Sequence, residues 1–141
     1  MALSLSGVML VLSALFSIGD DTRDLAVLAI GAVVCGVTGA TLLRRPFSTT
    51  ALRPVATMTA AVVGFVLVAL ISTVIYLATG AIDRFDDALY ESIAGVSTSA
   101  LTLFDDPAVL GDGVLVWRAA TQWFGGLGAI AMAVGLLPFL G

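Results

Sequence analysis

The 141 residues are 60% hydrophobic and 11% charged, far from the roughly even apolar share and quarter charged share of soluble domains, so the sequence reads as an integral membrane protein. There is no histidine and a single cysteine, which excludes histidine-based catalysis, a zinc site and an intrachain disulfide. All six basic residues are arginines against ten acids, a net charge of −4, and nucleic-acid binding is not expected.

Leu3 to Ile18 is the first apolar run, short against the roughly 20 residues of a membrane span. No basic residue precedes it and no A-x-A site follows, so it is read as a helix rather than a cleaved leader. Gly19 to Asp24 forms a polar turn whose Asp and Thr side chains suit a helix start. Leu25 to Leu43 is the second span, with Ala32, Gly36 and Ala40 at four-residue spacing, a pattern that lets membrane helices approach closely. Cys35 lies inside this run as a small packing residue.

Arg44, Arg45, Pro46, Arg53 and Pro54 then define a basic loop over residues 44–54. Val55 to Thr79 is the third span, about 38 Å long as a helix, and Gly80 ends it. A fourth run, Val114 to Leu140, begins near Trp117 and Trp123, aromatic residues that suit a membrane interface. By the positive-inside rule the 44–54 loop is cytoplasmic, which puts the N-terminus inside and the 80–113 connection outside. All ten acids then face outward with Arg23, Arg84 and Arg118, giving −7 outside against +3 in the inner loop, and the two sum to the net −4. Such an external mouth concentrates cations.

Between the last two spans lies a piece too short to cross a bilayer. Asp86 to Gly95 has helical spacing at Ala88, Leu89 and Ile93, with Asp86 and Asp87 at the start, where carboxylates offset the helix dipole and can cap free N–H groups. Gly95 at the other end is expected to present free carbonyls to the following chain. Val96 to Thr102, rich in β-branched and hydroxyl residues, is suited to an extended strand whose carbonyls replace water around an ion. Composition alone allows the plainer alternative of a solvated outer loop. Glu91, within the half-helix, requires a partner, either filter backbone or Arg118; Arg118 has the equal alternative of reaching to water at the interface.

The run Tyr90-Glu91-Ser92-Ile93-Ala94-Gly95-Val96-Ser97-Thr98-Ser99-Ala100-Leu101-Thr102, followed by Trp117-Arg118, Gln122-Trp123-Phe124-Gly125-Gly126-Leu127-Gly128 and Leu137-Pro138, resembles the first pore repeat of the Trk/Ktr/HKT superfamily, and most nearly its Trk-type membrane subunits. The resemblance covers about Arg53 to Gly141; the two preceding helices match an extra N-terminal pair in number and position only. It implies an all-α membrane fold in which this chain supplies the helix pair (1–43) and one repeat of helix (55–79), pore half-helix (86–95), filter (96–102) and helix (114–140). Four such repeats surround one pore in the family, and filter carbonyls bind the ion. The positions that correspond here are Ser97, Thr98, Ser99, Ala100 and Leu101, supported by Glu91, Gly95, Arg118, Gly125, Gly126 and Gly128. Potassium or sodium is then cargo rather than cofactor. The implied partners are three further repeats, on the same or a separate chain, and a cytosolic nucleotide-binding regulatory subunit; the implied location is the plasma membrane.

Two departures stand out. Ala100 occupies a position where bacterial relatives mostly carry Gly, and a Cβ there costs on the order of 1 kcal/mol if the backbone is left-handed. In the plant relatives Ser at this position accompanies sodium transport, so potassium selectivity is open. The second departure is that one filter segment gives a quarter of a coordination shell, which leaves three options: a portion of a longer or split transporter, a homotetrameric small channel, or a nonconducting assembly subunit. A small multidrug exporter has similar length, but the first two runs lack its membrane-embedded acid. An enzyme would need a catalytic constellation that the sequence does not offer.

Overall fold

The computed structural model describes residues 2–19, 21–44, 54–107 and 110–136. Residues 45–53, most of the expected cytoplasmic loop, and 137–141, with Leu137-Pro138 and the end of the expected fourth helix, lie outside them, as does Asp20. The described residues form five α-helices: α1 (Ala2–Phe16), α2 (Thr22–Leu43), α3 (Pro54–Thr79), α4 (Phe85–Val96) and α5 (Asp112–Leu136). A 3-10 turn, Ser17–Gly19, follows α1.

Local chemistry sets several ends. Pro54 opens α3, where its fixed φ and missing N–H cost nothing. Gly80, at φ +77°, closes the same helix in the left-handed conformation that glycine accepts freely. Arg23, from the first turn of α2, donates its Nε–H to the Ala78 carbonyl at 2.8 Å, satisfying one of the last carbonyls of α3. Two helices, over Thr22–Thr41 and Met58–Thr79, are long and apolar enough to cross a membrane by length and composition, and α1 is a shorter apolar helix.

α1 and α2 form a tightly packed hairpin. A Cβ placed on Gly7 would stand 2.9 Å from the backbone nitrogen of Gly36, so the helices touch backbone to backbone at the middle residue of the Ala32, Gly36, Ala40 series. Trp117 of α5 joins this hairpin to the rest of the molecule. It is 1% exposed and packs with Leu10, Leu28, Ala32, Cys35 and Ile75, drawing residues from α1, α2 and α3. The expectation of an interfacial Trp117 is thereby corrected. Trp117 faces the helix bundle, because its position on α5 is the one that α1 and α2 cover, whereas Trp123, almost two turns on, is 72% exposed. At the N-terminal end of α5, Gly113 lies against Ser13, Ser17 and Leu28, where an added Cβ would meet the Cβ of Ser17 at 2.6 Å.

Two further clusters hold α4 in place. Tyr76, Ala88, Leu110 and Val114 pack its N-terminal half between α3 and α5. Val68, Ala69 and Val96, with Phe65 and Phe124 alongside, floor its C-terminal end. The Phe65 and Phe124 rings meet edge to face, centroids 6.4 Å apart.

Candidate pore loop

α4 has 12 residues, about 18 Å of helix, and cannot cross a bilayer core of roughly 30 Å. Its N-cap position is Arg84, which makes no side-chain cap bond. Instead Arg84 hydrogen-bonds Asp86 and lies 3.4 Å from Asp87, all three on the exposed surface. The hydrogen bond from Arg84 holds the Asp86 carboxyl below the usual carboxylate range, aided by backbone N–H groups of Asp86 and Asp87.

The C-terminal end departs from expectation. The Ser99 N–H donates to the Ala94 carbonyl at 3.2 Å and the Thr98 N–H to the Gly95 carbonyl at 3.1 Å, the paired bonds of a Schellman turn. Ser97 caps the helix with right-handed angles, and Thr98 takes the left-handed position at φ +55° that glycine usually fills. The carbonyls expected to stand free at Gly95 are therefore largely engaged within the turn; the hydroxyls of Ser97 and Ser99 also donate to Ala94. The expected extended strand over 96–102 is likewise replaced. Val96 ends the helix, and a turn with two left-handed residues, Thr98 and Ala100 (φ +59°), follows without strand pairing. The Schellman bonds engage the N–H groups of Thr98 and Ser99, which are therefore not available for strand pairing.

Ala100 thus adopts the backbone for which the sequence marked it as costly. Replacing it by glycine is expected to stabilise the protein by about 1 kcal/mol, read as a rise in the thermal midpoint in detergent. A fall in that midpoint would show that the alanine methyl makes compensating contacts.

Glu91 anchors the chain leaving the loop. Its side chain is fully buried, and its Oε1 accepts hydrogen bonds from Arg118 Nε at 2.8 Å and from the Thr102 hydroxyl at 3.1 Å. Oε2 accepts the Leu103 N–H at 2.8 Å. Of the two options left open by the sequence, the pairing with Arg118 is realised, whereas the backbone bond goes to Leu103, one residue past the 96–102 segment, rather than to the segment itself. Arg118 is mostly buried beside Glu91, its side chain 15% exposed, and does not reach out to water as an interface anchor would. One buried anion therefore ties α4, α5 and the outgoing chain together, and its hydrogen bonds offset the cost of its burial.

The other side of the loop rests on α5. A Cβ on Gly125 would lie 1.8 Å from the Val96 carbonyl oxygen, so α5 backbone runs directly beneath the last residue of α4. Gly95 sits against the Thr121 hydroxyl, where a Cβ would approach to 3.0 Å, and that hydroxyl donates to the Arg118 carbonyl at 2.7 Å. Gly128 faces the Phe65 ring, with a Cβ contact of 2.7 Å. Gly126 differs, since a Cβ there would meet only the Thr98 methyl at 3.9 Å. Ser97, Thr98, Ser99, Ala100 and Leu101 are all exposed in the isolated chain. Beneath them opens an apolar cleft of about 420 Å³ lined by residues including Phe65, Ile93, Val96 and Gly125.

A helix too short to span, a sharp turn and an exposed loop held from both sides make up the candidate site. The chain is 39% identical over 54 residues to the Trk system potassium uptake protein TrkI of Halomonas elongata, covering 38% of this chain and 11% of the relative. It is 42% identical over 57 residues to TrkG of Escherichia coli K12, 40% of this chain and 12% of the relative. Against TrkH of the same strain it is 42% identical over 55 residues, 39% of this chain and 11% of the relative. The chain therefore matches only about a ninth of the length of these Trk relatives, all of which are named as potassium uptake proteins and none as an enzyme. No protein-family model matches the chain, and no solved structure matches it.

The roles of Thr102, Leu103, Thr121 and the left-handed Thr98 have no signature in the sequence. No glycine marks the Schellman position, so its usual signal is missing. The Thr102 and Leu103 partners depend on how the chain doubles back over α4, which no local pattern encodes.

Proposed function

We propose that this chain contributes one quarter of the ion pathway of a Trk-type cation uptake transporter, carrying potassium and, given Ala100, also admitting sodium. The observation that carries this reading is the exposed Ser97–Leu101 loop, held between the Glu91 carboxylate network and the backbone of Gly125. Its backbone carbonyls would coordinate the dehydrated ion, and a complete shell needs the corresponding segments of three further repeats. The exposure of the loop and the cleft beneath it supports such neighbours. By the family resemblance, a cytosolic nucleotide-binding regulatory subunit would be its partner and the plasma membrane its location. The loop would open outward and the N-terminus inward, in keeping with the arginines at 44, 45 and 53.

The test is an N-terminally tagged copy expressed from its natural locus in a strain lacking other potassium uptake. A tagged species several-fold heavier than 14.4 kDa, or a 14.4 kDa product copurifying with the remaining repeats, together with potassium uptake, is expected. A 14.4 kDa product that forms a conducting tetramer would make it a homomeric channel. A 14.4 kDa product with no partner and no uptake would sink the transport reading.

A further inference from the structure

We propose that the groove between α2 and α3 is a phospholipid site, with one acyl chain in the groove and the headgroup phosphate on Arg23. The groove has a volume of about 490 Å³ and is lined wholly by apolar side chains and glycine, from Val27 to Cys35 on α2 and from Leu67 to Ala78 on α3. These stretches run about 12 Å and 16 Å along their helices, against roughly 15 Å for one leaflet of a bilayer's hydrocarbon core. A groove of that depth suits an acyl chain of one leaflet.

The charge at the mouth points the same way. Arg23 lies one helical turn before Val27 on the same face of α2, and its Nε–H is bonded to the carbonyl of Ala78, itself a groove residue. The guanidinium is thereby fixed at the groove's polar end, exposed, with Nη1 lying over Gly80, where a Cβ would come to 3.0 Å. Its terminal nitrogens suit a phosphate, for which arginine's planar fork is the preferred partner. The exposed Asp21 carboxylate beside it favours an amine-bearing headgroup. Neither feature belongs to the pore loop, so the site stands apart from the transport reading.

Native mass spectrometry of the full natural product, released in mild detergent and offered phosphatidylethanolamine or diacylglycerol of the same acyl composition, tests the proposal. One phospholipid retained per copy, at roughly tenfold preference over diacylglycerol, is expected; that preference should vanish in Arg23→Gln and persist in Arg23→Lys. Equal retention of the two probes, or a preference unchanged in Arg23→Gln, would overturn it. Because Arg23 also caps α3, Val74→Trp provides a second variant, filling the groove from a residue that is 63% exposed and leaving the cap intact. Occupancy should then fall about tenfold, and unchanged occupancy would overturn the proposal. A photoreactive residue at position 74 in native membranes should label lipid; labelling of a protein segment instead would make the groove a helix-docking face and end the lipid reading.

Discussion

Gly125→Ala is expected to displace the pore loop and abolish most transport. The new methyl would stand 1.8 Å from the Val96 carbonyl oxygen and 2.8 Å from its carbon, both backbone atoms that no rotamer change can move. Relief requires α4 and α5 to separate by more than an ångström, which places the cost at or above the upper end of the ~1–3 kcal/mol typical of overpacking. Uptake of potassium should fall by roughly tenfold or more, the factor that about 1.4 kcal/mol of misplacement carries. Gly126→Ala is the matched control. Its methyl meets only Thr98 Cγ2 at 3.9 Å, an ordinary contact, so stability and uptake should change little. If the two alanine variants behaved alike, the close approach of α5 to Val96 would not be what positions the loop.

Glu91→Ala should be the second large effect. It leaves the mostly buried Arg118 guanidinium without its carboxylate and the Leu103 N–H without its acceptor. Removing one member of a buried pair costs about 3–5 kcal/mol, and an orphaned backbone donor adds to it. Removing Arg118 as well, in Glu91→Ala with Arg118→Leu, should recover the part due to the stranded charge but not the part due to Leu103. A double-mutant cycle followed by thermal unfolding in detergent measures this. Additive single effects, with no recovery in the double variant, would show that the ion pair contributes no coupling and that Glu91 acts only through the outgoing chain. Glu91→Gln, which keeps an acceptor oxygen, should fall between Glu91→Ala and the unsubstituted protein.

Much of the architecture is legible because membrane insertion writes itself into composition. Long apolar runs such as Leu25 to Leu43 and Val55 to Thr79 have few alternatives to helix, since a bilayer leaves no water to satisfy unpaired backbone groups. The half-helix is equally readable, from the amphipathic spacing of Ala88, Leu89 and Ile93 between polar ends. Glu91 is marked as needing a partner by the cost of a buried carboxylate alone. Hidden from the sequence are the details that depend on how helices meet. A tryptophan near the start of a membrane helix reads as an interface residue, yet Trp117 is enclosed because α1 and α2 fold back onto α5. The Schellman turn at Thr98 is masked because threonine replaces the usual glycine, and the left-handed angle of Thr98 is held by hydrogen bonds to Ala94 and Gly95 rather than by local preference.

Class, helix order and the residues whose burial demands compensation are therefore legible in the chain, because hydrophobicity and charge act locally and additively along it. Which partners meet that demand follows only from how the helices pack. Glu91, Thr102, Leu103 and Arg118 are separated by as many as 27 residues, and only the packing of α4 against α5 brings them onto one carboxylate.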